Sequence, residues 1–389
     1  MSLRLRWRSP EDLTAGEIEA WSRLGREGCG SPNPFAMPEF VLPARRHLLG
    51  DLELRIAWFE DAASSVVGVG VFTERKASWF VPMRHLRDLR TPFSFRSGWL
   101  AARGAANAVA QALVGQSDVA AIDLRNLPAG DVLGSALRTA AAEHGGGWHL
   151  RHSFERPVWR IGDDRHALPW PKDLQRRQRK ADAEGGLQSE LCIPGAGDAS
   201  YLHDVECVDH LYGRPVAAEP ATSTDACLDT LLHTHLRLEH AGWKGDAGSS
   251  LQSTPAHAEF FREMMHGFAD IGAAAFMQTR LGNEVIASSS NLLLGDTVNA
   301  FKIGWNPDYA QYSPGRINEV ALCQAACRQW PAVKCFDSQT QAGGYLAKLL
   351  PDKRTMLSGT LALNATAHRR MKLARAWRPL SYRLSDPDL

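Results

Sequence analysis

The clearest alternation of apolar and polar positions runs through "AAFMQTRLGNEVIASSSNLLLGDTVNAFKIGWN", residues 274 to 306. It predicts three strands joined by two tight turns. Gly282-Asn283 and Gly295-Asp296 occupy those turns, where hairpins need residues tolerant of positive φ. A second hairpin is predicted earlier, from "LELRIAWFED" and "SVVGVGVFTER". Helical spacing of apolar positions marks Glu11 to Leu24, "WLAARGAANAVAQALVG", "GDVLGSALRTAAAEHGGG", Ala199 to Tyr212, Thr224 to Ala241 and Ala256 to Gly267. "LPWPKDLQRRQRKADAEGG" reads as a proline-led basic helix. After the third strand come a loop of turn residues, a helix to about Gln329, a strand "AVKCFDSQ" and a last strand in "TMLSGTLALN".

Both halves thus follow one order: helices, an antiparallel hairpin, a helix, a strand. The expectation is an α/β (α+β) protein of two domains, residues 1–165 and 166–389, each a mixed, largely antiparallel sheet flanked by helices. With 389 residues, 44% of them hydrophobic, the chain is long enough for two such domains. Its 44 Lys and Arg against 43 Asp and Glu leave a formal charge of +1. That balance argues against a protein that coats nucleic acid or membrane over its whole surface, although charge can be segregated locally. There is no apolar run long enough for a transmembrane helix and no signal-peptide core, so no membrane insertion is expected. The seven cysteines are odd in number and scattered. They fit reduced thiols in a cytoplasm better than a disulfide frame. Cys323 and Cys327 share a helix face, but no second pair follows at ligand spacing and no metal is expected.

Candidate chemistry concentrates in the second half. Ser313-Pro314-Gly315-Arg316 opens a helix straight after a strand and loop. Unpaired backbone N–H groups and a partial positive charge at that place suit an anion, while a proline-started helix is the plain alternative. Lys302 ends an inner strand, facing either a ligand or solvent. Asp337 ends the strand "KCFDS", as a proton acceptor or as a cap. Tyr312 is either a weak acid beside the loop or a packing residue. Glu319 suits the helix dipole without any function. Trp243-Lys244-Gly245-Asp246-Ala247-Gly248 sets a Trp and a Lys among glycines, which favours recognition over a structural turn. Arg176, Arg177, Arg179 and Lys180 form a basic cluster on one helix, a solvated face or a polyanion site. His233, His235 and His240 lack metal-ligand spacing and read as surface or core imidazoles.

Over residues 170 to 360 the chain resembles the GNAT acyltransferase superfamily. The nearer likeness is to the bacterial branch related to Fem-type peptidoglycan aminoacyl transferases. The resemblance rests on "LQRRQRKADAEGGLQSE", "GWKGDAGSSLQSTPAHAEFF", "NEVIASSSNLLLGDTVNAFKIGWNPDYAQYSPGRINEVAL" and "KCFDSQTQAGGYLAKLLPDKRTM", in that order. In the first half only "NPFAMPEF" matches. The resemblance implies two GNAT-like domains and an N-acyltransferase. An amine of an amino acid, amino sugar, peptide or envelope precursor would attack the donor carbonyl directly. It implies Lys302, Tyr312 and Asp337 as catalytic groups, Ser313, Gly315 and Arg316 as the donor's anion loop, and Trp243, Lys244 and Arg177 as substrate-binding residues. The usual superfamily loop is Gln/Arg-x-x-Gly-x-Gly/Ala. Here Gln311 to Arg316 has one displaced glycine, and Pro314 removes an N–H donor. The resemblance implies acetyl-CoA or another acyl-CoA as donor, and because a loop with fewer amides grips a pyrophosphate less well, charged tRNA is the alternative. A non-catalytic binder of an envelope or polysaccharide precursor is the reading of a different class.

Overall fold

A computed structural model of the chain describes residues 3–116, 118–164, 166, 168–182, 184–194, 224–340 and 343–376. They fall into two compact units. The first comprises the described residues of Met1–Arg45, Leu49–Arg156 and Arg354–Leu389, and the second those of Arg46–Leu48 and Pro157–Lys353. The boundary expected after residue 165 thus stands beside a first division at Arg156, with a later segment returning to the first unit.

In the first unit the elements run β1 (Arg4–Arg8), α1 (Ala15–Arg23), α2 (Pro38–His47), β2 (Leu54–Glu60), β3 (Val66–Arg75), β4 (His85–Asp88), β5 (Leu100–Ala101), α3 (Ala106–Val114), β6 (Ala121–Pro128), α4 (Val132–Glu143) and the start of β7 (Gly147–Arg160). Strands β1 to β4 pair antiparallel in sequence order. β4 then meets β6 in parallel, at Leu86–Ile122 and Arg87–Asp123. The Ala-rich helices bury Val109, Leu113, Leu137 and Ala140 with Phe59, Phe72 and Ile122.

Two expectations here give way to local chemistry. The helix read from Glu11 is interrupted because Thr14 and Glu17 form a capping box that starts α1 anew. Residues 99–101, read as helix, include β5, because Leu100 and Ala101 pair with Val69 and Gly68. The helix begins only after Gly104, whose φ is +79°.

The second unit contains α5 (Lys172–Asp182), β8 (Leu187–Cys192), α6 (Thr224–His240), α7 (Trp243–Asp246), α8 (Pro255–Asp270), β9 (Ala274–Leu281), β10 (Glu284–Leu294), β11 (Thr297–Trp305), α9 (Pro314–Gln329) and β12 (Cys335–Asp337). The helix read over Ala199 to Tyr212 lies outside the described residues. β8 to β11 pair antiparallel, with Gly282 and Gly295 at φ +55° and +60° in the turns on either side of β10. β12 joins β11 in parallel, and Val158 to Arg160 of β7 join β12 antiparallel. Trp159, Leu174, Met277, Ile286, Val298, Val320 and Phe336 fill the core. The last elements, β13 (Asp352–Ala362) and α10 (Ala365–Ala376), follow. Met356 to Ala362 of β13 pair antiparallel with β6 in the first unit.

Each unit is therefore a mixed, mostly antiparallel sheet with one parallel pair. Four antiparallel strands lead to a parallel strand and then to a last antiparallel one. That last strand is β13 in the first unit and the end of β7 in the second. It comes from the other half of the sequence in each case.

Candidate active site

The site grows out of the parallel pair in the second unit. β11 pairs with β12 only over Thr297–Cys335, Val298–Phe336 and Asn299–Asp337, and β12 then ends. β11 runs on to Trp305 with no further pairing on that side among the described residues. The sheet is thus open from Ala300 onward, and Phe301 forms a bulge where Ser290 pairs with Lys302 and Asn291 with Ala300. Asp337 sits buried where the strands part. Its Oδ1 accepts from the Gln339 N–H at 3.0 Å, and Gln339 has φ +52°. Gln339 Nε2 in turn donates to Asn299 Oδ1 at 2.9 Å. Lys302 lies three residues beyond Asn299 on the same strand, roughly 10 Å along it.

In the first unit the parallel pairing is as short, but there β4 stops at Asp88 and β6 runs on to Pro128. Asp123, set opposite Arg87 as Asp337 is set opposite Asn299, takes Arg151 at 2.6 Å and Arg90 at 3.0 Å.

Lys244 and α6 line the open edge of β11. Lys244 Nζ donates to the Ile303 carbonyl at 2.6 Å and stands 3.4 Å from Glu239 Oε1. Glu239 has a fully buried side chain, and its Oε2 accepts from the Leu251 N–H at 2.7 Å. A pocket of about 130 Å³ lies here, lined by Glu239, Gly242, Lys244, Ile303, Gly304 and Trp305 among others. Gly304 is required by packing, since a Cβ there would stand 2.2 Å from the Glu239 backbone nitrogen. α6 therefore rests its backbone directly on β11.

Beneath this edge is a buried polar layer. His235 Nδ1 lies 3.1 Å from Ser288 Oγ, and its Nε2 lies 3.2 Å from Ser290 Oγ. Phe261 stacks on the ring at 5.3 Å between centroids. Burial first, then the Lys244 and Lys302 charges, push the imidazole down to about 3, so it is neutral. Lys302 is pushed down to about 8 by burial, against the attraction of Glu239 and with the repulsion of Lys244. Glu319, buried on α9, is pushed up to about 7 by burial, which a hydrogen bond with Tyr345 and the Lys244 charge partly offset. Tyr345 leaves 41% of its surface to solvent, but its hydroxyl meets Glu319, and burial there raises it well above the usual phenol range.

The start of α9 is more constrained than its sequence suggests. Ser313 adopts the left-handed conformation, φ +54° and ψ +51°, and its side chain caps nothing. The Arg316 and Ile317 amides turn back onto the Ser313 carbonyl at 3.0 and 3.2 Å. Pro314 has no N–H, so the Gly315 amide is the first-turn donor left without an acceptor among the described residues. A Cβ on Gly315 would come within 3.1 Å of the Trp305 ring, so glycine lets the helix start close to β11. Arg316 Nη1 pairs with Asp173 of α5 at 2.6 Å, and this hydrogen bond chiefly lowers the Asp173 carboxyl. Arg177, also on α5, donates to the Gln311 carbonyl. Tyr312 is buried and donates its hydroxyl to Glu184, which raises its pKa. Its proton is held by that carboxylate in this arrangement.

The structure thus brings Lys244 and Lys302 to one strand edge, with Asp337 at the fork and Ser313 to Arg316 where the following helix starts. Trp243 opens α7 beside Lys244. Arg177, Arg316 and Tyr312 are engaged in contacts that hold α5 and its following turn to the loop before α9. Sequence reading did not single out Glu239, and His235, read as a surface or core imidazole, lies in the core. Both fall on the stripe Leu228, Leu232, His235, Glu239 of α6, and polar residues at such apolar spacing were the available signal. Cys323, Cys327 and Cys335 are buried, and burial pushes the Cys323 thiol well up. No group of three His, Cys, Asp or Glu side chains among the described residues could hold a metal ion.

Residues 208–345 match the family model of the acetyltransferase (GNAT) domain. The crystal structure of FemX aligns over 93% of this chain and 96% of its own, with 8% identity and a TM-score of 0.52. A conserved protein of unknown function from Bacteroides thetaiotaomicron VPI-5482 aligns over 92% and 99%, with 9% identity and a TM-score of 0.50. No curated protein matches the chain in sequence. At such identities the structural likeness is one of fold. The chain thus has a GNAT-superfamily, Fem-like fold, with the acetyltransferase domain match confined to residues 208–345.

Proposed function

We propose that the second unit is an N-acyltransferase that moves an acyl group from a thioester donor, an acyl-CoA, to an amine. The observation that carries this reading is the parting of β11 from β12 after Asn299 and Asp337, beside the start of α9. An extended donor laid along that open edge would reach the Ile303 carbonyl where Lys244 now binds. The acceptor nitrogen attacks the acyl carbonyl carbon, a C–N bond forms, and the C–S bond breaks. Asp337 takes the proton from nitrogen, and Lys302 offsets the negative charge that develops on the carbonyl oxygen. Tyr312 would protonate the departing thiolate after release from Glu184. Ser313, Gly315 and Arg316 would meet the donor's phosphate, and Trp243, Lys244 and Arg177 the remaining substrate. The acceptor class is an amino acid, amino sugar, peptide or envelope precursor, and the setting is cytoplasmic. No helix among the described residues is long and apolar enough to cross a membrane.

One observation favours aminoacyl-tRNA as donor instead. The start of α9 keeps a single unengaged amide at Gly315, little for a pyrophosphate, while basic α5 touches the adjacent loop through Arg177. Incubation with labelled acetyl-CoA, and separately with charged tRNA with and without ribonuclease, distinguishes the two by which label reaches an amine. Transfer from neither donor, with tight retention of an envelope precursor, would replace both with a binding protein.

A further inference from the structure

Cationic charge is nearly balanced over the whole chain, 44 against 43, but not over α10. Its sequence, "ATAHRRMKLARA", holds Arg369, Arg370, Lys372 and Arg375 and no carboxylate. The helix is fixed to the first unit by its inner face. Ala367 and Met371 pack with Val81, Met83, Ala121 and Ala362, and His368 Nδ1 meets His149 Nε2 at 2.9 Å. Asn364 caps the start through the Ala367 amide at 2.9 Å. The outer face carries Arg369, Arg370 and Lys372, all exposed, and Leu373, which leaves 61% of its surface to solvent. Among the described residues none of those three cations forms an ion pair. A helix held by its apolar face, with three exposed cations and an exposed leucine on the other, presents a basic patch of the kind that anionic headgroups attract.

We propose that α10 docks this protein on an anionic phospholipid surface. Arg369, Arg370 and Lys372 meet the headgroup phosphates, and Leu373 enters the boundary of the acyl chains. Charge complementarity alone would serve RNA equally, but an exposed aliphatic side chain contributes nothing to phosphate contact. The inference stands apart from acyl transfer and holds whichever donor the second unit uses.

The test is co-sedimentation of the full chain with phosphatidylcholine vesicles, with and without phosphatidylglycerol. Binding is expected only with phosphatidylglycerol, weakening as salt rises. The triple variant Arg369→Gln, Arg370→Gln, Lys372→Gln should bind about a hundredfold more weakly, at roughly a factor of five per lost charge. Leu373→Ser should weaken binding while leaving the salt dependence unchanged. All four side chains are exposed, so an unaltered melting temperature serves as the folding control. Wild-type protein that ignores phosphatidylglycerol, or a triple variant that binds as wild type does, overturns the proposal. So does tRNA binding that the triple variant loses while vesicles stay unbound, because that outcome assigns the face to RNA.

Discussion

Lys244 Nζ lies 2.6 Å from the Ile303 carbonyl oxygen, and the same ammonium, 3.4 Å from Glu239, is the partner of that buried carboxylate. The side chain of Lys244 is 21% exposed and that of Glu239 not at all, so removing the lysine leaves a desolvated charge offset only in part, by Lys302. Lys244→Met should lower stability by about 3 kcal/mol in urea unfolding at neutral pH. Adding Glu239→Gln should recover more than half of that loss, because the stranded charge then disappears. A double variant no more stable than Lys244→Met would show that the pair is not the source of the cost.

The contact between Gly304 and α6 gives a steric prediction. A Cβ at Gly304 would stand 2.2 Å from Glu239 N and 2.4 Å from its Cα, both backbone atoms that cannot rotate away. Gly304→Ala should therefore push α6 off β11 and cost on the order of 3 kcal/mol. Gly282→Asn, in a turn where a Cβ meets nothing within 4 Å and φ is +55°, should cost less than about 1 kcal/mol. Equal urea midpoints for the two variants would contradict the packing argument.

Glu319 and His235 pull the pH dependence of stability in opposite directions. Glu319 titrates near 7 in the fold, above its ordinary 4.5, so between those values the native state holds a proton that the unfolded chain releases. Its contribution falls as pH rises through that window and is level above it. His235 is depressed from 6.5 to about 3, so the stability it leaves intact above 6.5 is lost progressively as pH falls below it. Glu319→Gln should therefore gain stability over wild type as pH rises from 5 to 8, by roughly 2 kcal/mol. Unfolding in urea at both pH values measures the gap, and a gap that does not widen would remove the assignment.

Much of the second unit was legible because local chemistry and tertiary need coincide there. Gly282 and Gly295 take the positive φ that the turns require, and the three strands between 274 and 305 keep the expected bounds. The basic helix α5 and the helix after Ser313-Pro314 also follow from their sequence. What could not be read depends on distant partners. β7 is a 14-residue strand whose end pairs with β12, and β13 crosses back to β6, choices that no local period encodes. α10 was missed because its apolar positions are few and its charge dominates. At the site, Lys302 and Asp337 were singled out from position alone, whereas Glu239 comes to the edge of β11 only because α6 lies on Gly304.

Lys302 gives the prediction closest to the chemistry. Its ammonium, pushed down to about 8, is charged at neutral pH and loses that charge as pH rises further. If the cation stabilises the developing oxyanion, kcat/KM for the donor should be flat below about 8 and fall above it. The acceptor amine titrates in the opposite sense, gaining its reactive form as pH rises, so the wild-type profile alone mixes two groups. Lys302→Arg separates them, because a guanidinium keeps its charge throughout the accessible range while the acceptor is unchanged. The variant should lose the alkaline fall even if its rate is lower overall. Lys302→Met should be slower at every pH, by about a hundredfold, as for loss of one oxyanion partner. An alkaline limb in Lys302→Arg identical to that of wild type would assign the fall to another group and take Lys302 out of the mechanism.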